Sequence, residues 1–184
     1  MCHYRRILTW IVPLRLLLKG SWPSPVLLER YPAIDGLYGP FVRAITQGDV
    51  VAFDEALQAL EGRLVQLNVW IIVLRMREIA LRGVFRKVYV YRPFCPFLPH
   101  LIQVLTQRWK ALGSGTRVTI QAFHAGLKLA GQEMDTDEAE CLVANSIYKG
   151  FMKGYISHEA QTVVLAKTDP FPRLADRILP VGLQ

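Results

Sequence analysis

The sequence predicts a mainly α-helical protein whose C-terminal part is a winged helix, and three stretches carry that prediction. Along 135–150 a helix announces both of its ends. Asp135 with Glu138 three residues later has capping-box spacing. Ala139, Leu142, Val143 and Ile147 recur at helical intervals as one apolar stripe. Lys149 and Gly150 make a suitable C-terminus. Then the period changes. Tyr155-Ile156 and Thr162-Val163-Val164-Leu165 are aromatic and β-branched runs on either side of the polar Ser157-His158-Glu159-Ala160-Gln161, which reads as a β-hairpin. Upstream, Ile120–Ala130, closed by Gly131, supplies the preceding helix, with Phe123, Leu127 and Ala130 on one side. Leu142 and Ile147 are expected to pack on Phe123 and Leu127, with Val163 or Leu165 closing the layer. Cys141, on the flank of the stripe, reads as a small core residue.

The front of the chain reads as a helical array. Tyr4–Lys19 is a helix kinked or broken by Pro13 and ended by Gly20. Its Arg5-Arg6 and the run Ile7–Leu18 imitate a signal peptide, but Pro13 and Arg15 interrupt the run and no small-residue cleavage site follows. The run is also shorter than the roughly 20 apolar residues that span a bilayer. It reads as a buried helix, with no membrane partner. Ser24-Pro25 opens a short helix that Tyr31-Pro32 stops. Gly39-Pro40 predicts a turn, with a short helix Phe41–Thr46 after it. Gly48-Asp49 is a helix stop followed by a cap. Phe53, Leu57, Leu60, Leu64, Leu67, Ile71 and Leu74 then alternate spacings of four and three. A coiled coil is one reading. Gly62 and the apolar cluster Val69–Leu74 favour two consecutive helices of an array, the second running to about Arg92 with Gly83 as a weak point.

Pro93, Pro96 and Pro99 forbid a continuous helix, and Gly113-Ser114-Gly115 reads as a linker. Leu101–Leu112 fits a short helix between them. The predicted organisation is a helical-repeat segment over 1–92, a linker with flexible ends over 93–116, a winged helix over 117–169 and a loosely held tail over 170–184.

Composition narrows function. Hydrophobic residues make up 52% of 184, which excludes a wholly disordered chain and allows one cored domain or two small lobes. Cys2, Cys95 and Cys141 form no disulfide framework or CxxC pair, so a reducing compartment is expected. Residues 1–132 hold 17 lysines and arginines against seven acidic residues, and 133–184 hold five against eight. The basic surface therefore belongs to the front, which suits an acidic partner, either nucleic acid or protein. Arg75, Arg77, Arg82, Arg86, Lys87 and Arg92 face only Glu78 in one helical stretch, and Arg75, Arg82 and Arg86 share a face at spacings of seven and four. Such a row suits a phosphate backbone. Lys149, Lys153, His158 and Lys167 offer a smaller second set.

No phosphate-binding glycine loop, HExxH or GxSxG occurs. The histidines have no metal-ligand spacing, and His124 beside Phe123 reads as a packed or surface residue. No cofactor and no catalytic activity are expected. Asp135, Asp137, Glu138 and Glu140 cluster where they complement a helix dipole. There they would also repel phosphate at the end of the helix that reads bases in a typical helix-turn-helix dock. A sequence-specific winged-helix transcription factor is therefore the weakest reading.

The segments AECLVANSIYKGFMKGYISHE, TVVLAKTDPFP and FHAGLKLAGQE resemble the C-terminal end of the PCI-domain family that contains COP9 signalosome subunit 12 and the PCI subunit of the nuclear-pore transcription-and-export complex. ILTWIVPLRLLLKGSWPS, the stretch around Tyr31-Pro32, AITQGDVVAFDEAL and LRGVFRKVYV extend the resemblance over most of the chain except about 93–116, which stands as an insertion. Family members carry further helices ahead of this region, so the chain is expected to be a form shortened at its N-terminus. Its first helix would then expose an apolar face.

The resemblance implies a PCI domain: a helical-repeat, tetratricopeptide-like segment followed by a winged helix with a small β-hairpin. It implies a non-catalytic scaffold subunit of a nuclear complex in transcription-coupled mRNA processing or export. The implied partners are another PCI-domain protein, a small acidic proteasome-lid-type protein, and RNA or duplex DNA bound without sequence specificity. The expected location is the nucleus, with the cytoplasm second. The alternative it implies is a structural subunit associated with the COP9 signalosome, with protein–protein contacts only. The residues expected to hold nucleic acid or an acidic partner are Arg75, Arg82, Arg86, Lys87, Lys149 and Lys153.

Overall fold

The computed structural model describes residues 2–90 and 116–177. The proposed insertion, with its short helix Leu101–Leu112 and its flexible ends, lies outside the described residues except for Thr116. The described residues form two compact units. One takes the chain up to Gly83 together with Arg173–Arg177, and the other takes Val84–Pro172.

In the first unit, helix α1 (Cys2–Lys19) continues through Pro13 and ends at Gly20, whose backbone N–H donates to the Leu16 carbonyl at 2.9 Å with φ of 61°. Thr9, Val12 and Leu16 are buried, and the Tyr38 hydroxyl donates to the Thr9 carbonyl. Tyr4, Ile7, Ile11, Leu14 and Leu18 are exposed, so one side of α1 does present apolar residues to solvent. No described helix is long and apolar enough to cross a membrane. Helix α2 (Pro25–Arg30) opens at Ser24-Pro25 and stops at Tyr31.

Helix α3 (Pro32–Gln47) corrects one expectation: it passes straight through Gly39-Pro40. A proline crowds the Cβ and N–H of the residue before it, and Gly39 has no Cβ. The helix also buries Ile34, Leu37, Tyr38, Phe41, Ala44 and Ile45 as one stripe. That burial, at about 25 cal/mol per Å², exceeds the roughly 3 kcal/mol that an interior proline costs. The Gly48-Asp49 stop and cap stand as expected. Gly48 is left-handed, and the Ala52 N–H donates to Asp49 Oδ1 at 3.0 Å. Helix α4 (Val50–Gln66) then sets Phe53 edge-on to Phe41, with ring centroids 5.1 Å apart.

Asn68, at φ 56°, separates α4 from α5 (Trp70–Val90). Two helices, not one coiled coil, carry the four-three spacing. The break shifts the helical phase, so Ile71 and Leu74 are exposed at 67% and 43%. Val69, Val73, Met76, Ile79 and Ala80 turn inward instead. At Gly83 α5 is unbroken. A Cβ at Gly83 would lie 3.2 Å from the Gly48 Cα, so the residue is small to let two backbones meet. The guanidinium of Arg77 grips Asp54 through two hydrogen bonds of 2.7 and 2.9 Å.

The second unit contains the end of α5, then β1 (Arg117–Thr119), α6 (Ile120–Leu129), α7 (Thr136–Tyr148), β2 (Gly154–Ser157) and β3 (Thr162–Leu165). The sheet is antiparallel in the order β1-β3-β2. The hairpin was expected and β1 was not. Three residues are too few to show a period, although Val118-Thr119 is a β-branched pair. The Asp135 capping box is complete: the Glu138 N–H donates to Asp135 Oδ1 at 2.7 Å, and the Asp135 N–H to Glu138 Oε2 at 3.2 Å. Phe85 meets Phe123 edge-to-face at 5.5 Å, and Val163 and Leu165 are buried.

The inward face of α7 corrects the expected stripe. Ala139, Val143 and Ser146 are buried, while Leu142 and Ile147 are half-buried. Ser146 can face inward because its hydroxyl donates to the Leu142 carbonyl at 2.9 Å. Cys141 is exposed, not part of the core. The tail expected to be loose is packed over 170–177. In the second unit Phe171 lies 5.7 Å from the Tyr89 ring, and the Pro170 carbonyl accepts from the Lys153 N–H at 2.8 Å. In the first unit Leu174 is 9% exposed in a short 3₁₀ turn (Leu174–Asp176), and Arg177 donates to the Leu17 carbonyl at 3.2 Å.

Candidate functional site

Helix α5 carries four of the six basic residues singled out by the sequence. Arg75 and Arg82 lie in its first-unit part, and Arg86 and Lys87 in its second-unit part. Arg75, Arg86 and Lys87 are exposed, because the interior of α5 is taken by Val73, Met76, Ala80, Val84 and Phe85. Arg82 is half-buried, with its Nε enclosed by protein. It therefore presents less charge outward than the spacing suggests. Arg77 belongs to the fold: its hydrogen bonds to Asp54, first, and the carboxylate's charge raise its pKa further and keep it cationic at every working pH. Arg92 lies outside the described residues.

The second set belongs to the winged helix. Lys149 is half-buried at the C-cap of α7. Lys153 is exposed just before β2, with its Nζ 3.5 Å from Asp169 Oδ2. A pair this exposed is worth about 0–1 kcal/mol and yields readily to a competing anion.

One arrangement escaped sequence reasoning. Glu140 was grouped with the acids that complement the α7 dipole, but it faces the hairpin turn. Its Oε1 lies 2.8 Å from His158 Nδ1, and its Oε2 is 3.5 Å from Gln161 Nε2. The hydrogen bond from Glu140, followed by that carboxylate's charge, raises the His158 pKa above its usual value. Eighteen residues separate the two partners, so no local pattern could have paired them. His124 is half-buried, with Nε2 2.8 Å from the Met134 carbonyl, in a packing role. Among the described residues no group of three or more histidine, cysteine or acidic side chains could hold a metal ion.

The sheet gives the unit a second surface. Val163 and Leu165 point inward, so strand alternation turns Thr162 and Val164 outward. Arg117 and Tyr155 both pair with Val164, and Thr119 and Ser157 both pair with Thr162.

A profile of the PCI domain matches residues 99–167, which includes the whole α6–α7–β2–β3 run. A protein of Gibberella zeae, "Protein CSN12 homolog", is 38% identical over 94% of this chain and 38% of its own length. Its namesake in Schizosaccharomyces pombe is 31% identical over 94% of this chain and 38% of its own length. "PCI domain-containing protein 2" of Xenopus laevis is 30% identical over 93% of this chain and 37% of its own length. The chain thus spans well under half of the length of these relatives.

Proposed function

This chain belongs to the PCI-domain family that includes the CSN12 homologues and PCI domain-containing protein 2, and from that premise we propose that it is a non-catalytic scaffold subunit of a nuclear complex in transcription-coupled mRNA processing or export. The carrying observation is that similarity runs along more than nine-tenths of the chain and ends in a complete winged helix. A helical array and a small sheet offer surfaces to partners. In this reading the partners are another PCI-domain protein, a small acidic protein of the proteasome-lid type, and RNA or duplex DNA held without sequence preference. Exposed Arg75, Arg86 and Lys87 supply the backbone contacts, with Lys149 and Lys153 as a second set.

Nucleic-acid affinity measured against salt tests this directly. Each neutralised phosphate contributes a log–log slope of about −0.7 to −0.9, so five contacts give about −4. Changing Arg86 and Lys87 to Glu together should remove about 1.4–1.8 units of that slope, the share of two contacts. The fold should stay intact, because exposed charges contribute little to stability. An unchanged slope would remove this patch from the reading.

A second reading has an observation of its own. Arg77 is committed to Asp54 and Arg82 is half-buried, which thins the basic row. A structural subunit associated with the COP9 signalosome, making protein contacts only, accommodates that. Absence of RNA and DNA binding at low salt, with PCI-domain partners recovered by co-purification from the source cell, would select it.

A further inference from the structure

The outward face of the sheet is more specific than the helix patch. Its central row runs Arg117, Val164, Tyr155 across β1, β3 and β2, and the next row runs Thr119, Thr162, Ser157. The Ala166 N–H donates to the Lys153 carbonyl at 2.8 Å, which continues the β2–β3 pairing and puts Lys153 two residues before Tyr155 on the same side. Tyr155 is 63% exposed, Arg117 and Lys153 are exposed, and Val164 is half-buried beneath them. An exposed aromatic ring is thus set between two cations over a shallow apolar floor, with hydroxyls alongside. Lys153 Nζ lies 3.5 Å from Asp169 Oδ2.

We infer that this face is a docking platform for a short stretch of single-stranded RNA, with one base stacked on Tyr155 and the neighbouring phosphates met by Arg117 and Lys153. The inference rests on the nucleic-acid reading above and names a different surface for it. Charge and shape both select the occupant. The two cations suit a polyanion, and one of them is a lysine, a residue that protein interfaces deplete. A major groove admits a helix or a two-stranded ribbon, whereas a three-stranded face is too broad for it. Unpaired bases offer a free π-face to an exposed aromatic ring, whatever their sequence. Strands about 4.8 Å apart put Arg117 roughly 10 Å from Tyr155, and Lys153 lies about 7 Å along β2, both within reach of phosphates flanking a stacked base.

The test uses the full chain with a short labelled oligouridylate and fluorescence anisotropy, with circular dichroism to verify the fold of each variant. Tyr155→Ala should weaken binding about tenfold or more, while Tyr155→Phe keeps the stacking face and the affinity. Arg117→Ala should cut the log–log salt slope by about 0.7. Asp169→Asn should tighten binding by releasing Lys153. If Tyr155→Ala binds as wild type while the Arg86 and Lys87 double change weakens binding, the platform is wrong and the nucleic-acid reading stands. If wild type fails to bind at low salt, both fall. If Tyr155→Ala loses a co-purifying protein but keeps RNA affinity, the face docks protein and the inference is overturned.

Discussion

Compare the start of α4 in the first unit with the start of α7 in the second. Both are capped by an aspartate, and both caps were legible: Asp49 accepts from Ala52, and Asp135 accepts from Glu138. What lies between the caps differs. In the winged helix Gly131 and Gly150 are both left-handed at helix ends, and Gly126 alone stays inside a helix, α6. In the helical front three expected breakers do not break, the first being Pro13, inside α1. Pro40 sits inside α3, and Gly83 sits inside α5. The short helices of the winged helix end at their left-handed glycines. Long helices that bury a continuous stripe can override a local cost of a few kcal/mol. A breaker in a helical array therefore reports a packing need as often as an end.

The largest effects should fall on the aromatic pairs that anchor each unit. Phe53→Ala in the front and Phe123→Ala in the back each remove a ring at 0% exposure, and each should cost about 3–5 kcal/mol in urea unfolding. A cost under about 1 kcal/mol at either site would show that its unit lacks the core described. Leu142→Ala is the control on the corrected α7 face. At half-burial it should cost about 1 kcal/mol, well below the 2–5 kcal/mol of a buried leucine.

The glycines sharpen the comparison, because one substitution should change sign between two positions. Gly62 in α4 is exposed, with nothing within 4 Å of an added Cβ. Gly62→Ala should therefore stabilise the protein by up to about 1 kcal/mol, the helix-propensity difference. At Gly83 the same Cβ meets the Gly48 Cα at 3.2 Å, and a left-handed helix cap cannot easily retreat. Gly83→Ala should destabilise by about 1–2 kcal/mol despite the better propensity. A gain in melting temperature at both sites would return Gly83 to the status of an ordinary helix interruption.

The sequence exposed the winged helix better than it exposed any site. The capping box, the left-handed glycines and the hairpin are local devices, and one chain suffices to see them. The inward turn of Ser146 was not legible, because a serine counts as polar until its hydroxyl is seen to bond one turn back to Leu142. For the basic row, spacing put Arg75, Arg82 and Arg86 on one face, but spacing does not report depth, and Arg82 is drawn partly inside. The Arg117–Val164–Tyr155 row needed the strand register, which depends on β1, an element of three residues.

The smallest expected effect concerns the link between α7 and the hairpin turn. His158 is exposed, yet Glu140 raises its pKa, first through the hydrogen bond and then through charge. A histidine with a raised folded pKa adds stability that is fully present below its unfolded value, about 6.5. That stability is lost as pH rises through the higher folded value. The winged helix should therefore hold its hairpin turn most firmly below about pH 6.5 and loosen it slightly as pH rises through the raised folded value. Exposure to solvent keeps the effect small, so total stability is a poor readout. The imidazole resonances of His158, followed by NMR against pH, should give a midpoint above 6.5 in the wild type and one close to 6.5 in Glu140→Gln. Equal midpoints in the two proteins would mean that the Glu140–His158 contact does not persist in solution. In that case the turn is positioned by its own hydrogen bonds, Gln161 N–H to the His158 carbonyl at 3.0 Å and Thr162 Oγ1 to the Ala160 carbonyl at 2.8 Å.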